Sequence, residues 1–342
     1  MLCSSPRLLL ILTLMMLVSW PATAQQTAKK AKGAGKAKSA AKAAAKAVDE
    51  IKPAPTLADV PYGKHPKQVL HFWRAKSEGP APLLFYIHGG GWQGGNRTSG
   101  LTAMLPAILD RGISVASIEY RFIQEAIADG VKPPVHAPLH DAARALQFVR
   151  SKASEWNIDK QRVAASGGSA GACSSLWLAF HNDLADPQSS DPIARESTRL
   201  LFAAVNGAQT TLDPQQMKEW TPNSRYGAHA FGIFRTVNGR DTADFEAFLQ
   251  RRDEIMPWIE AYSPYHLVTQ DDPPVYLYYS APPALGQEEK DPTHTANFGL
   301  KLQEKLQSVG VPCELVYPGA PDVKHPRTQD ALIAKLTAAA SP

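Results

Sequence analysis

Two short glycine-rich motifs hold the residues of this 342-residue chain that could do chemistry. Residues 167–171, GGSAG, match the pattern G-x-S-x-G, in which small residues allow a sharp turn that exposes a serine hydroxyl. Residues 88–91, HGGG, form a loop whose backbone N–H groups can bind a negatively charged oxygen. The two motifs together predict Ser169 as a nucleophile that attacks a carbonyl carbon. They also predict an oxyanion hole built from the N–H groups of Gly89, Gly90 and Ala170, with Gly91 as a further candidate.

A serine at neutral pH needs a base, and the base needs an acid to orient it. In the chain order that accompanies this motif, the acid and then the histidine follow the serine. We predict His325, on the loop after the last predicted strand, as the base. We predict Asp291 as the acid, and Glu288 and Glu289 stay open as alternatives. His294 is interpreted as a loop histidine or a supporting group rather than the base.

The elements around these motifs alternate between short apolar runs and segments of helical periodicity. This pattern predicts an α/β fold with a mostly parallel sheet and helices on both of its faces. The HGGG loop follows the apolar run at 83–87, and Ser169 lies between a strand at 162–165 and a helix at 170–180, as a nucleophile turn requires. Further strands are predicted at 68–75, 113–118, 201–207, 275–280 and 313–319, and further helices at 101–112, 138–156 and 297–310.

One segment interrupts this alternation, at residues 211–262. It is rich in Trp, Tyr, Gly and Arg, and we predict a cap-like insertion above the strand ends within a catalytic domain at 57–342. Its aromatic residues either line an acyl or sugar pocket or form the core of the cap, and we favour the core. They include the aromatic stretch with Trp220, Tyr226, Phe231 and Phe234.

The N-terminal residues have a different composition. Arg7, the apolar run 8–18 and the A-x-A sequence 22–24 predict a signal peptide at 1–24, and hence export to the periplasm or the extracellular space. An Ala/Lys-rich disordered linker is predicted at 25–56. Residues 1–52 contain nine basic and two acidic residues, so the overall charge of +4 becomes 27 against 30, or −3, for the remainder. The linker is interpreted as a solvated spacer or as a contact to an anionic polymer.

Cysteine and charge patterns exclude several classes of protein. Cys173 and Cys313 remain after removal of the signal peptide, too few for a disulfide framework and without the spacing of a zinc site. We expect no cofactor and no metal, no specific contact to nucleic acid, and no transmembrane segment, because the apolar run at 8–18 is too short to span a bilayer.

Taken together, these motifs resemble the α/β-hydrolase superfamily, and more narrowly esterases of the hormone-sensitive-lipase type and of the bifunctional feruloyl and acetyl-xylan esterase type. The resemblance covers about residues 65–340 and includes YIHGGGW, SIEYRF, GGSAGA and VYPGAPDVKHP. It implies an eight-stranded sheet and cofactor-free hydrolysis of carboxylic esters, with acetyl or feruloyl esters of carbohydrates as substrates. One departure is Gly168, where many enzymes of the hormone-sensitive-lipase type have Asp.

Two other readings of the same residues stay open. The chain could be a catalytically decayed α/β-hydrolase that serves as a binding protein, because a fold does not by itself imply a function. A peptidase on the same fold is disfavoured, since no propeller-like repeats precede the domain.

Overall fold

The structure is a computed structural model that describes residues 51–338. The predicted signal peptide (1–24) and the predicted linker as far as residue 50 lie outside the described residues. The last residues of the predicted linker belong to the folded domain, because Ile51 is buried and the Pro53 carbonyl accepts a hydrogen bond from Trp73 Nε1 at 2.8 Å. The folded domain therefore already includes Ile51, six residues before the predicted boundary at Leu57.

The described part of the chain alternates strands and helices. The strands are β1 (Leu57–Pro61), β2 (Val69–Trp73), β3 (Ala81–Ile87), β4 (Ser114–Ile118), β5 (Ile158–Gly168), β6 (Phe202–Asn206), β7 (Phe234–Val237), β8 (Arg240–Ala243), β9 (Val275–Tyr278) and β10 (Cys313–Val316). The helices are α1 (Leu105–Leu109), α2 (Ile123–Ala128), α3 (His136–Ser151), α4 (Ala153–Trp156), α5 (Ala170–Phe180), α6 (Pro214–Trp220), α7 (Phe245–Gln250), α8 (Met256–Tyr262), α9 (Pro264–Leu267), α10 (Asn297–Ser308) and α11 (Thr328–Thr337), with a 3₁₀ turn at Ala228–Phe231.

Eight of the strands form one sheet in the order β1-β2-β4-β3-β5-β6-β9-β10. Strand β2 is antiparallel to β1 and β4, and the other neighbouring pairs are parallel. All seven residues of β3 are buried, as expected of a strand covered on both faces. The predicted mostly parallel α/β architecture is therefore confirmed. Strands β3, β5, β6 and β9 end on the same edge, so the loops that follow them meet there.

The helix predicted at 101–112 is shorter in the structure and covers only Leu105–Leu109. Pro106 lies in its first turn, where the missing N–H of proline does no harm, whereas in a longer helix it would occupy the interior. None of the helices in residues 51–338 is long and apolar enough to cross a membrane.

The segment 211–262, hereafter the cap segment, lies between β6 and β9 and contains three helices and the hairpin β7–β8. It packs on the helices beside the sheet: Trp177 Nε1 donates to the Ala261 carbonyl at 3.0 Å, and Val135 N donates to the Ala230 carbonyl at 2.9 Å. That this segment acts as a lid stays a prediction.

Candidate active site

The turn at Ser169 joins the end of β5 to the start of α5. Ser169 adopts φ 54° and ψ −124°, a strained conformation for a residue with a side chain. Only glycine fits at the crossing point, because a Cβ on Gly171 would lie 2.1 Å from the Ile87 carbonyl oxygen. The strained turn and the close packing against β3 place the Ser169 side chain at the rim of a cavity.

A histidine and an aspartate continue from this serine in a chain of two hydrogen bonds. His294 Nε2 lies 2.9 Å from Ser169 Oγ, and His294 Nδ1 lies 2.8 Å from Asp291 Oδ2. The carboxylate can only accept, so Nδ1 carries the proton and Nε2 is free to accept from the serine hydroxyl. Burial raises the pKa of Asp291, but the hydrogen bonds and charge of His294 outweigh it and leave the pKa below its ordinary value. The arrangement is that of a nucleophile, base and acid.

The prediction of His325 as the base is wrong in this geometry. His325 follows the last strand as expected, but its Nδ1 lies 2.7 Å from Glu314 Oε2 on the edge strand β10. Glu314 Oε1 also accepts from the backbone N–H groups of Lys324 and His325, at 2.9 and 2.8 Å. These three bonds hold the loop against β10, and the imidazole is directed to Glu314 instead of Ser169.

His294 is the residue that the sequence reasoning misassigned, although a local signal was present. Asp291 and His294 are three residues apart in a turn, and Asp291 Oδ1 accepts from the backbone N–H of Thr293 at 3.3 Å and of His294 at 3.2 Å. An aspartate followed by a histidine at this spacing can form the pair locally. Asp291, the predicted acid, lies within hydrogen-bond distance of His294 Nδ1, the position that an orienting acid would occupy.

The alternative acids do not reach the histidine. Glu289 is engaged elsewhere, with its backbone N–H and carbonyl bonded to the Asn223 side chain at 3.1 and 2.9 Å and its Oε1 accepting from Thr295 Oγ1 at 3.1 Å. Glu288 is exposed to solvent.

The predicted donor loop lies directly beside the serine. A Cβ on Gly89 would lie 2.6 Å from the Gly168 carbonyl oxygen and 3.4 Å from Ser169 Cβ, so only a glycine allows this approach. Gly89 and Gly90 line the same cavity as Ser169. Ala170 is the first residue of α5, where a backbone N–H has no partner within the helix. Among residues 51–338, the N–H groups of Gly89 and Gly90 donate no backbone hydrogen bond.

A buried cluster of charged and polar side chains packs against the HGGG loop. His88 is fully buried; its carbonyl accepts from Tyr120 at 2.7 Å, and its Nε2 lies 3.4 Å from Glu119. Glu119 also pairs with Lys67 at 3.5 Å and with Arg97 at 3.2 Å. Burial raises the pKa of the Glu119 carboxyl, but His88 and the two cations outweigh it and hold the pKa below its ordinary value. The loop is therefore anchored to a carboxylate that stays ionised at neutral pH.

Ser169 opens into a cavity of about 520 Å³ at the strand ends. Most of the exposed wall is apolar, and the lining residues that the structure describes include no Asp, Glu, Lys or Arg. The polar side chains in the wall, apart from Ser169 and His294, are Tyr86, Ser99, Asn206, Tyr278 and Ser280. Such a surface suits an uncharged ligand better than an ion, and its few polar groups can orient that ligand.

The aromatic residues Trp220, Tyr226, Phe231 and Phe234 of the cap segment do not line this cavity. Trp220 and Phe231 are buried, and Tyr226 and Phe234 pack against the same hydrophobic core. The favoured alternative, a core role, is the one that the structure shows. Within the described residues, no group of three or more His, Cys, Asp or Glu side chains is placed to hold a metal ion.

Known proteins share this fold and parts of this sequence. Esterase LipC of Mycobacterium tuberculosis is 33% identical over 114 residues, which cover 32% of this chain and 26% of that protein. An acetyl ester-xyloside bifunctional hydrolase from Caldicellulosiruptor lactoaceticus superimposes with a TM-score of 0.53 at 22% identity, covering 73% of this chain and 77% of that one. A truncated carbohydrate esterase from gut microbiota gives a TM-score of 0.60 at 18% identity, with 84% and 98% covered.

These likenesses differ in what they show. The match spans only 26% to 31% of the lengths of the first three curated relatives, and at these identities the two solved structures show a shared fold. The sequence model of the BD-FAE family, in contrast, matches residues 72–282, which run from β2 past β9 and include the HGGG loop and the Ser169 turn. The chain therefore belongs to the BD-FAE family, within the α/β-hydrolase superfamily.

Proposed function

We propose that this protein is a serine carboxylic ester hydrolase that works through an acyl-enzyme, with Ser169 as nucleophile, His294 as base and Asp291 as acid. The observation that carries the proposal is the pair of hydrogen bonds, 2.9 Å and 2.8 Å, that joins these three side chains. Membership of the BD-FAE family and the esterase relatives support it.

The reaction follows from the geometry of the site. Ser169 Oγ attacks the ester carbonyl carbon while His294 Nε2 takes its proton, and the backbone N–H groups of Gly89, Gly90 and Ala170 stabilise the oxyanion that develops. The bond to the alcohol oxygen breaks as His294 returns the proton to the leaving alcohol. Water, deprotonated by His294, then attacks the acyl-enzyme and releases the acid and Ser169.

The substrate we propose is an acetyl or feruloyl ester of a carbohydrate. No Asp, Glu, Lys or Arg lines the described wall of the cavity, and its few hydroxyl and amide groups can exchange hydrogen bonds with sugar hydroxyls. Two structural neighbours are an acetyl ester-xyloside bifunctional hydrolase and a carbohydrate esterase. Turnover of p-nitrophenyl acetate without turnover of acetylated xylan or feruloyl sugars would remove the carbohydrate part of the proposal.

A fluorophosphonate probe tests the catalytic assignment. We expect one covalent adduct, located at Ser169 by peptide mass spectrometry, that is lost in Ser169→Ala and strongly slowed in His294→Ala. His325→Ala is the matched control and should label like the unaltered protein, because His325 is bonded to Glu314. A folded protein that does not react, or an adduct that persists in Ser169→Ala, would contradict the proposal and favour a binding role.

Export and a polymer contact complete the proposal. A signal peptide cut before Gln25 would deliver the protein to the periplasm or the extracellular space and leave the Lys-rich linker at its N-terminus. The linker would bind an anionic polymer through its lysines. A mature mass that starts at Gln25, and retention on an anionic resin at low salt that is lost when residues 25–50 are deleted, are the expected results. Unchanged retention would contradict the polymer contact.

A further inference from the structure

The turn that carries Asp291 and His294 is bonded to one buried amide side chain, that of Gln209. Gln209 follows the end of β6 by three residues and is fully buried. Its Nε2 donates to the Thr293 carbonyl at 2.6 Å and to the Gly207 carbonyl at 3.2 Å. Thr293 immediately precedes His294, so the amide fixes the backbone from which the imidazole projects.

The second of these two carbonyls belongs to a residue that touches the imidazole itself. Gly207 has a φ of 55°, and a Cβ built on it would lie 3.4 Å from both Cβ and Cδ2 of His294. The imidazole therefore packs on the Gly207 backbone. Gln209 thus bonds both the peptide before His294 and the surface on which its ring rests.

The same segment also contacts the nucleophile. Ser169 N donates to the Asn206 carbonyl at 3.0 Å. Residues 206–209 therefore connect the turn of Ser169 to the turn of His294. Asp291 and His294 lie on one turn, so their mutual contact does not fix their distance from Ser169. Residues 206–209 fix this distance, because they contact both turns.

The oxygen of the Gln209 amide indicates why this position holds an amide instead of an apolar side chain. Gln209 Oε1 is buried and accepts no hydrogen bond from the part of the chain that the structure describes. An apolar side chain of similar shape would fill this space without burying a polar oxygen, so packing alone does not favour an amide here. The presence of an amide is explained by its two N–H groups, which donate to the carbonyls of Gly207 and Thr293.

We propose that Gln209 is a positioning residue that sets the distance between His294 Nε2 and Ser169 Oγ. The proposal rests on the assignment of His294 as the base. Loss of the two bonds lets the turn move away from β6, which lowers kcat while the cavity that binds the substrate stays intact.

The test compares Gln209→Leu with Gln147→Leu in the full-length protein. Gln147 is a matched control, because it is also a buried glutamine whose Nε2 donates to backbone carbonyls. Its acceptors are the carbonyls of Leu184, Ala194 and Glu196. These residues do not line the cavity. With p-nitrophenyl acetate and folding checked by circular dichroism, we expect Gln209→Leu to lower kcat by about tenfold to a hundredfold with a small change in KM. Gln147→Leu should keep its kcat.

A second variant, Gln209→Glu, separates positioning from stability. A buried glutamate has a raised pKa, and once protonated it can donate one hydrogen bond to the Thr293 carbonyl. The ratio of kcat for Gln209→Glu to kcat for Gln209→Leu should therefore rise as the pH falls from about 8 to about 5.5. A flat ratio, or equal kcat losses in Gln209→Leu and Gln147→Leu, would overturn the inference. If Ser169→Ala and His294→Ala keep full activity, the proposed function itself has failed.

Discussion

Asp291 and His294 are bonded within one turn of the chain, and this turn stands partly in solvent. The Asp291 side chain is 64% exposed and that of His294 38% exposed, so water screens the charge of the acid more than it would in a buried triad. The orientation of the imidazole rests partly on its contact with Gly207 as well as on the carboxylate. The three members of the proposed triad should therefore contribute unequally to the rate.

We expect Asp291→Ala to lower kcat by about fivefold, since an exposed charged pair is worth about 1 kcal/mol. His294→Ala should cost about 10⁴-fold or more, because it removes the base. Steady-state hydrolysis of p-nitrophenyl acetate measures both. Glu288→Ala is the matched control, an exposed acidic side chain three residues earlier, and should leave kcat unchanged. Equal losses in Asp291→Ala and His294→Ala would contradict the role of exposure.

The loop between β9 and α10, residues 279–296, and the first residue of α10 are hydrogen-bonded to the cap segment. The Asn223 side chain bonds the backbone of Glu289 at both ends, and Asn297 Nδ2 donates to the Trp220 carbonyl at 2.8 Å. Gly286 N also donates to Trp220 O at 3.0 Å. These hydrogen bonds connect the cap segment to the loop that contains the turn of His294.

Within the cap segment, a buried ion pair should carry much of the stability. Asp213 is fully buried, accepts from Arg252 Nε at 2.8 Å and Nη2 at 2.7 Å, and caps α6 through Gln215 N. Asp213→Ala removes both bonds to the Arg252 guanidinium and uncaps the helix, so we expect the free energy of unfolding to fall by about 2–4 kcal/mol.

Urea unfolding followed by tryptophan fluorescence checks this prediction. Asp253→Ala is the matched control, because Asp253 also lies beside Arg252, at 3.4 Å, but is 97% exposed. Its midpoint should stay that of the unaltered protein. A small effect of Asp213→Ala would show that the cap segment is held mainly by its apolar contacts.

Across the whole molecule, several histidines are held neutral. Burial, the largest cause, lowers the pKa of His71, His140 and His229 from 6.5 to about 4, with Arg97 adding to the effect at His71 and His136 at His140. The unfolded chain therefore binds protons at these sites more readily than the folded chain.

Stability should consequently be constant above about pH 6.5 and decline as the pH falls from 6.5 to about 4, because protonation favours the unfolded state. The thermal midpoint, followed by circular dichroism, measures this. Glu119, whose pKa is lowered from 4.5, loses its contribution only below about pH 4.5, so the decline between about pH 6.5 and about pH 4.5 reports the histidines. A midpoint that stays flat between about pH 7 and about pH 4.5 would contradict the buried-histidine account.

The sequence by itself determined the features that depend on neighbouring residues. The turn around Ser169 and the loop at residues 88–91 are set by glycines at positions where a Cβ would collide with backbone, and the buried strands are set by continuous apolar runs. Helix α5 and strand β3 were predicted within two residues of their observed bounds for the same reason. The short strand β1 and the terminal helix α11 were missed, because neither has a strong periodic pattern.

Only the tertiary structure decided which histidine meets the serine. His294 and His325 both follow strands that end at the same edge of the sheet, and both have a carboxylate partner. The choice depends on which imidazole reaches a side chain that lies 125 residues away from His294 along the chain. Glu314 binds His325 at the edge strand, whereas Gly207 and the buried Gln209 hold His294 against Ser169. Contacts of this kind leave no local pattern, because they depend on how distant strands pack side by side.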